Sequence, residues 1–100
     1  MNITKNTVGK ELTLKLEGRL DTTTVGQLEV ELNAIPEDVK NLVFDFESLD
    51  YISSAGLRQL LIAQKKMGSK DAMKLVNVRP EVYEVLEISG FSDIINVEQK

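Results

Sequence analysis

The 100-residue chain contains no cysteine and no histidine. The first absence excludes disulfides, thiolate nucleophiles and Cys-ligated metals together. The second removes the commonest general base at neutral pH and the commonest zinc ligand, so Ser-His-Asp hydrolysis, Cys-His chemistry and HExxH metal sites cannot be assembled. GxGxxG, GxxxxGKS/T and GxSxG motifs are also missing, and no lysine follows Ser53 or Ser54 by three residues. Phosphate-cradling loops and activated-serine chemistry are thereby disfavoured, and neither an enzyme nor a bound cofactor or metal is expected. No apolar run approaches the ~18 residues of a membrane span. The N-terminal MNITKNTVGKELTLKLEG alternates polar and apolar residues in place of a signal-peptide core, so the chain reads as cytoplasmic, without membrane insertion. The sequon Asn2-Ile3-Thr4 would matter only in a secreted chain. There is no basic block either. Twelve Lys and Arg against 16 Asp and Glu give a net charge of −4, a mean field that repels phosphate backbones and anionic lipid, so direct nucleic-acid binding is not expected.

What remains, 42% hydrophobic and 28% charged residues, fits a single globular domain over residues 1–100. Leu12, Leu14 and Leu16 alternate with Thr13, Lys15 and Glu17, the period of a strand with one buried and one solvated face. Ile3 to Val8, with a turn near Gly9-Lys10, completes an N-terminal hairpin. Thr24-Val25-Gly26-Gln27 has the S/T-x-x-E/Q form of a capped helix start; Val25, Leu28 and Leu32 supply the apolar stripe, and Pro36 ends the helix near Asn33 to Ile35. Leu42 to Phe46 is apolar apart from Asp45, which predicts a central strand covered on both faces and leaves that carboxylate in need of a partner or an exposed edge. From Ala55 onward, Leu57, Leu60, Leu61 and Gln64 mark one face of a second helix, with Arg58, Gln59, Lys65 and Lys66 opposite and Gly68 as its stop. A strand in AMKLVNV, a helix in RPEVYEVLEISG with Pro80 in its first turn and Gly90 at its end, and a closing strand in DIINVE follow. The order β-β-α-β-α-β-α-β predicts an α/β fold with a mostly parallel central sheet, an N-terminal antiparallel hairpin strand and helical crossovers.

The stretch DYISSAGLRQLL sets Ser53, Ser54, Ala55 and Gly56 at a strand-to-helix junction. In the plain reading Ser53 or Ser54 caps the helix, which is worth roughly 1 kcal/mol. Three features point further. Glycine in a first turn costs helix propensity, which suggests close approach of another backbone. Two hydroxyls sit where the helix dipole turns its positive end outward, a place that favours phosphate. Functional groups of open α/β sheets also collect at the carboxyl ends of strands, where this turn lies. Ile62 falls off the main apolar stripe, near Arg58, which suits an interface or a neighbouring helix or loop. Asp21 fits a cap or turn before the first helix, and Tyr51 either lines the same surface or finishes its strand. A receiver domain phosphorylated on aspartate is excluded, because KLEGRLD lacks the acidic pair after the first strand.

Three segments, LEGRLDTTT, LVFDFESLDYISSAGLRQLL and KLVNVRPEVYEVLEISGFSDII, resemble the STAS family, specifically its short single-domain bacterial members, the anti-sigma-factor antagonists. The resemblance spans nearly the whole chain and implies a STAS-like fold and a regulatory binding protein. It further implies that the unphosphorylated chain binds an anti-sigma factor with ATP-dependent serine-kinase activity and so frees a sigma factor. Phosphorylation of one serine then abolishes binding, and a PP2C-type phosphatase restores it. The family's acceptor serine lies two residues before a Gly-Leu pair, which carries over to Ser54 before Gly56-Leu57. Ser53 stands where many members have aspartate, and is the alternative acceptor. The family's loop aspartate carries over to Asp21 in GRLD. Partner contacts are accordingly expected from Asp21, Thr22 and Thr23 in the loop, from Ser53, Ser54, Ala55 and Gly56 at the junction, and from Arg58 and Ile62 on the helix. Two other functions fit the same resemblance: a STAS subunit of a different complex, for lipid transport or stress sensing, and a module that binds a nucleotide or other small ligand.

The expected switch is electrostatic. Phosphate adds about 1.5 to 2 negative charges, which a helix N-terminus accommodates. In a docked, partly desolvated interface the same charge meets Asp21 or acidic partner groups and weakens binding.

Overall fold

The computed structural model describes all residues, 1–100. Strands β1 (Asn2–Val8) and β2 (Glu11–Leu20) form the expected antiparallel hairpin, turning at Gly9, whose φ of 61° is one that L side chains rarely adopt. Helix α1 (Val25–Asn33), strand β3 (Asn41–Ile52), helix α2 (Ser54–Met67), strand β4 (Met73–Val78), helix α3 (Pro80–Ile88) and strand β5 (Asn96–Gln99) follow. The sheet order is β1-β2-β3-β4-β5, and every pair beyond the hairpin is parallel. β3 therefore occupies the centre, as its apolar run predicts.

That centre is not covered on both faces. Leu12, Leu14, Leu16, Leu42, Phe44, Phe46 and Leu75 point to one face and share a single core with Leu28 and Leu32 of α1, Leu60 and Ala63 of α2, and Val82 and Leu86 of α3. The reverse face carries Thr13, Lys15, Asp45 and Lys74 and no helix. Val43 makes the run look two-sided, but it is shielded on the reverse face between Thr13 and Lys74, its neighbours in β2 and β4.

Asp45 finds its partners at this level. Its Oδ1 accepts from the Glu47 amide at 3.0 Å and from Asn77 Nδ2 at 3.2 Å. Asn77 adopts a φ of 55°, in the left-handed region that asparagine tolerates better than most residues. Immediately after Asp45 the β2–β3 register slips, from Lys15 opposite Asp45 to Glu17 opposite Ser48, and it slips again between Gly18 opposite Leu49 and Arg19 opposite Tyr51. Each slip gives β3 one extra residue, a bulge that breaks the period of two. Inward positions run Phe46, Leu49, Ile52, and the second bulge leaves both Asp50 and Tyr51 exposed.

Two helix and strand details differ from expectation. Gln59 is buried, donating to Glu29 Oε2 of α1 at 3.3 Å, so the inward face of α2 is Gly56, Gln59, Leu60 and Ala63. The closing strand begins only at Asn96. A 3₁₀ turn over Phe91–Asp93 commits the Ile94 and Ile95 amides to the Phe91 carbonyl, and Ile95 is spent in the core. Gly68 ends α2 in the left-handed conformation, and Pro80 opens α3, both as their positions predict.

Candidate functional site

β2 and β3 end level with each other, Leu20 opposite Ile52, and the Ser53 amide donates to the Leu20 carbonyl at 2.9 Å. The loop from Asp21 to Thr24 and the junction from Ser53 to Gly56 are thus neighbours at the carboxyl end of the sheet, where open α/β sheets gather functional groups.

At the junction the two serines divide the work. Ser53 is extended (φ −93°, ψ 174°) and caps α2: its Oγ accepts from the Gly56 amide at 3.3 Å and its carbonyl from the Leu57 amide at 2.9 Å. Ser54 is the first helical residue. Its side chain is exposed and its hydroxyl engages no group of the protein. Gly56 is buried beneath them. A Cβ there would stand 2.8 Å from Leu20 Cγ and Ile52 Cγ1, so the close approach is to core side chains and not to backbone. Gly56 accordingly acts by letting α2 settle onto β2 and β3. Ala55 is half-buried.

In the loop, Asp21 is the organiser. Its Oδ1 accepts from the Thr23 amide at 2.9 Å and the Thr23 hydroxyl at 2.7 Å, its Oδ2 lies 3.5 Å from Arg19 Nε, and its carbonyl receives the Thr24 and Val25 amides. The Thr23 hydroxyl, then the Thr23 amide, hold the carboxyl below its ordinary range; partial desolvation opposes them, and Arg19 and Thr24 assist. Asp21 is thus an ionised, fixed negative charge at neutral pH. The expected capping box does not form. Helix α1 begins where predicted, but the Thr24 hydroxyl donates to the Arg19 carbonyl at 2.7 Å and accepts from the Asp21 amide at 3.0 Å, tying the loop back to β2. Thr22 is exposed.

Four residues at this end were not singled out together by the sequence. The Arg19 guanidinium lies 4.1 Å from the centroid of the Tyr51 ring, a cation–π contact that makes Tyr51 both the end of its strand and part of the surface. Arg79, the residue before α3, bonds Asp50 Oδ1 at 2.5 Å. These pairs join residues far apart in the chain through the β2–β3 register and the start of α3, and only the exposed tyrosine carried any signal. Arg58 and Ile62 follow Ser54 at four-residue intervals on α2, all three exposed, which makes a ridge along the outer face of the helix.

The surface here is open. The two concavities of the molecule lie elsewhere, one lined by Glu11, Asn41 and Asp71 and the other by Pro36, Lys40 and Lys66, at the amino end of the sheet. An open, charged surface with an exposed aromatic and an exposed isoleucine suits a macromolecular partner better than a small ligand, which needs a concave site. No helix is long and apolar enough to cross a membrane.

Comparison with known proteins bears on the family and the fold. Residues 2–100 match the family model described as the STAS domain. The chain is 37% identical over 99 residues to BtrV of Bordetella bronchiseptica, whose name describes an anti-sigma factor antagonist; the match covers 97% of this chain and 85% of that one. Among solved structures, an anti-sigma factor antagonist from Mycobacterium paratuberculosis superposes with a TM-score of 0.88 at 19% identity, covering 99% of this chain and 86% of that one. SpoIIAA, an anti-sigma factor antagonist of Bacillus, superposes in its unphosphorylated form with a TM-score of 0.73 at 18% identity, covering 99% and 88%, and is also solved in a phosphorylated form. At these identities the structural matches establish the fold.

Proposed function

The chain belongs to the STAS domain family, and we propose that it is an anti-sigma factor antagonist switched by phosphorylation of Ser54. The observation that carries this reading is the contrast between the two junction hydroxyls: Ser53 is committed to the helix cap, and Ser54 is exposed and unbonded at the first helical position. The name of the Bordetella relative and the two phosphorylation states of SpoIIAA support it.

In this reading the unphosphorylated chain docks on an anti-sigma factor that is itself a serine kinase, and the sigma factor is released. Contacts come from Asp21, Thr22 and Thr23, from Ser54 and Ala55, and from Arg58 and Ile62, with Ser53 and Gly56 shaping the junction from below. The chain is substrate and not catalyst. Ser54 Oγ attacks the γ-phosphorus of ATP held by the partner, the bond to ADP breaks, and the hydroxyl proton passes to a base on the partner. The product keeps its fold, because the helix N-terminus favours the new charge. Binding is lost, because the dianion and the fixed charge of Asp21 must share a partly desolvated interface, a conflict worth several kcal/mol and orders of magnitude in affinity. A PP2C-type phosphatase resets the cytoplasmic cycle.

The test is intact-mass analysis with peptide mapping after incubation with the cognate kinase and Mg-ATP, paired with calorimetric titration of the kinase. One phosphate on the wild type, none on Ser54→Ala, retained binding by Ser54→Ala and at least tenfold weaker binding by Ser54→Asp are expected. Phosphate persisting on Ser54→Ala would move the acceptor to Ser53. A permanent complex indifferent to Ser54→Asp would mark a constitutive subunit of another assembly.

A further inference from the structure

We propose that Arg58 is the intramolecular counter-ion of phosphorylated Ser54, so that phosphorylation withdraws from the docking face the one arginine the fold leaves free. The inference rests on the reading of Ser54 as the acceptor. The chain has three arginines. Arg19 is held by Asp21 and the Tyr51 ring, and Arg79 by Asp50. Arg58 is exposed and pairs with no carboxylate. The other cations of α2 stand further along it, and Lys66 is engaged with the Leu32 carbonyl at 2.6 Å.

Position decides what Arg58 can reach. It lies four residues after Ser54, one turn and about 6 Å along the axis. Long side chains on a helix lean toward its N-terminus, so the guanidinium extends over the turn that carries Ser54. An anion placed four residues before a cation is the favourable order of such a pair. A phosphate offers three oxygens to the guanidinium fork and is bound in bidentate fashion. Asp21 is engaged by Thr23 and Arg19 and forms no ion pair with Arg58.

The consequence is a switch with two effects from one modification. Before phosphorylation Arg58 pairs with no carboxylate of the chain, and its donors are open to an acidic group on the partner. Afterwards the same guanidinium folds up the helix onto the phosphate, and the docking ridge loses a cation while gaining an anion.

The experiment uses the full chain with phosphoserine installed at position 54 during translation, so that it does not depend on any kinase. The second ionisation of the phosphate is followed by phosphorus NMR in the otherwise wild-type chain, in Arg58→Gln and in Arg58→Lys. The helix N-terminus acts equally on all three, and circular dichroism checks that each is folded. Arg58→Gln is expected to raise the midpoint by about half a pH unit, toward that of free phosphoserine, and Arg58→Lys to recover part of the difference. Identical midpoints in wild type and Arg58→Gln would overturn the pairing while leaving Ser54 as acceptor. Failure of the cognate kinase to modify Ser54 would overturn the acceptor reading, and with it the regulatory role of the pair.

Discussion

Ser53 and Ser54 are chemically identical neighbours whose roles are separated by one step of backbone. The extended residue turns its hydroxyl back onto the Gly56 amide; the first helical residue turns its own outward. Ser53→Ala should therefore lower stability by about 1 kcal/mol, the usual worth of a cap. Ser54→Ala should stay within about 0.5 kcal/mol of wild type. Urea denaturation with an unchanged m value checks both. Asp21 makes a second prediction. Its folded-state carboxyl titrates below the ordinary value of 3.8, chiefly through the Thr23 hydroxyl. Its contribution to stability is thus fully present above the ordinary value and is lost as pH falls through the lowered one. A carbon-detected NMR titration should place the Asp21 midpoint below 3.8, and Thr23→Val should move it upward. The resemblance pointed to Ser54 and Asp21 from their places before Gly56-Leu57 and after Gly18-Arg19-Leu20. It left open which serine caps, because that depends on a backbone angle and a rotamer.

Each element announced itself by its period, and the departures arose where neighbouring chain overrode local pattern. Alternation in β2 was readable directly; the helix of α2 was too, but its inward face is rotated from the expected Leu57, Leu60, Leu61 and Gln64 to Gly56, Gln59, Leu60 and Ala63. The bulges of β3 were not readable, because they exist only relative to β2, and they reassign every outward residue from Glu47 to Tyr51. Thr24 had the right neighbours for a capping box, but the Arg19 carbonyl claimed its hydroxyl. Gln59 looked solvent-facing until Glu29 of α1 supplied a partner. Gly56 was correctly marked as a close approach, though to side chains. Gly56→Ala tests that packing. Alanine would gain about 1 kcal/mol of helix propensity, yet its Cβ would press within 2.8 Å of Leu20 Cγ and Ile52 Cγ1, at the stems of two core residues. Overpacking of this kind costs roughly 1–3 kcal/mol, so a net destabilisation of about 1 kcal/mol is expected in thermal or urea unfolding.

In the molecule as a whole, parallel pairing brings the carboxyl ends of β2 and β3 together at one end of the sheet, and a single core ties all three helices to one side of it. The order of elements made the parallel pairing legible, but not the one-sided placement of the helices, because the apolar run of β3 reads as covered on both faces. The company around Ser54 was less so, since Arg19 meets Tyr51, and Asp50 meets Arg79, only after the sheet is assembled. The uncovered reverse face has a practical consequence. Thr4 sits there, exposed on β1 opposite Lys15, remote from the core, and the chain holds no cysteine of its own. A single Thr4→Cys would therefore accept one fluorophore at one defined position, giving a reporter of partner exchange in real time that leaves the ridge of Ser54, Arg58 and Ile62 unencumbered.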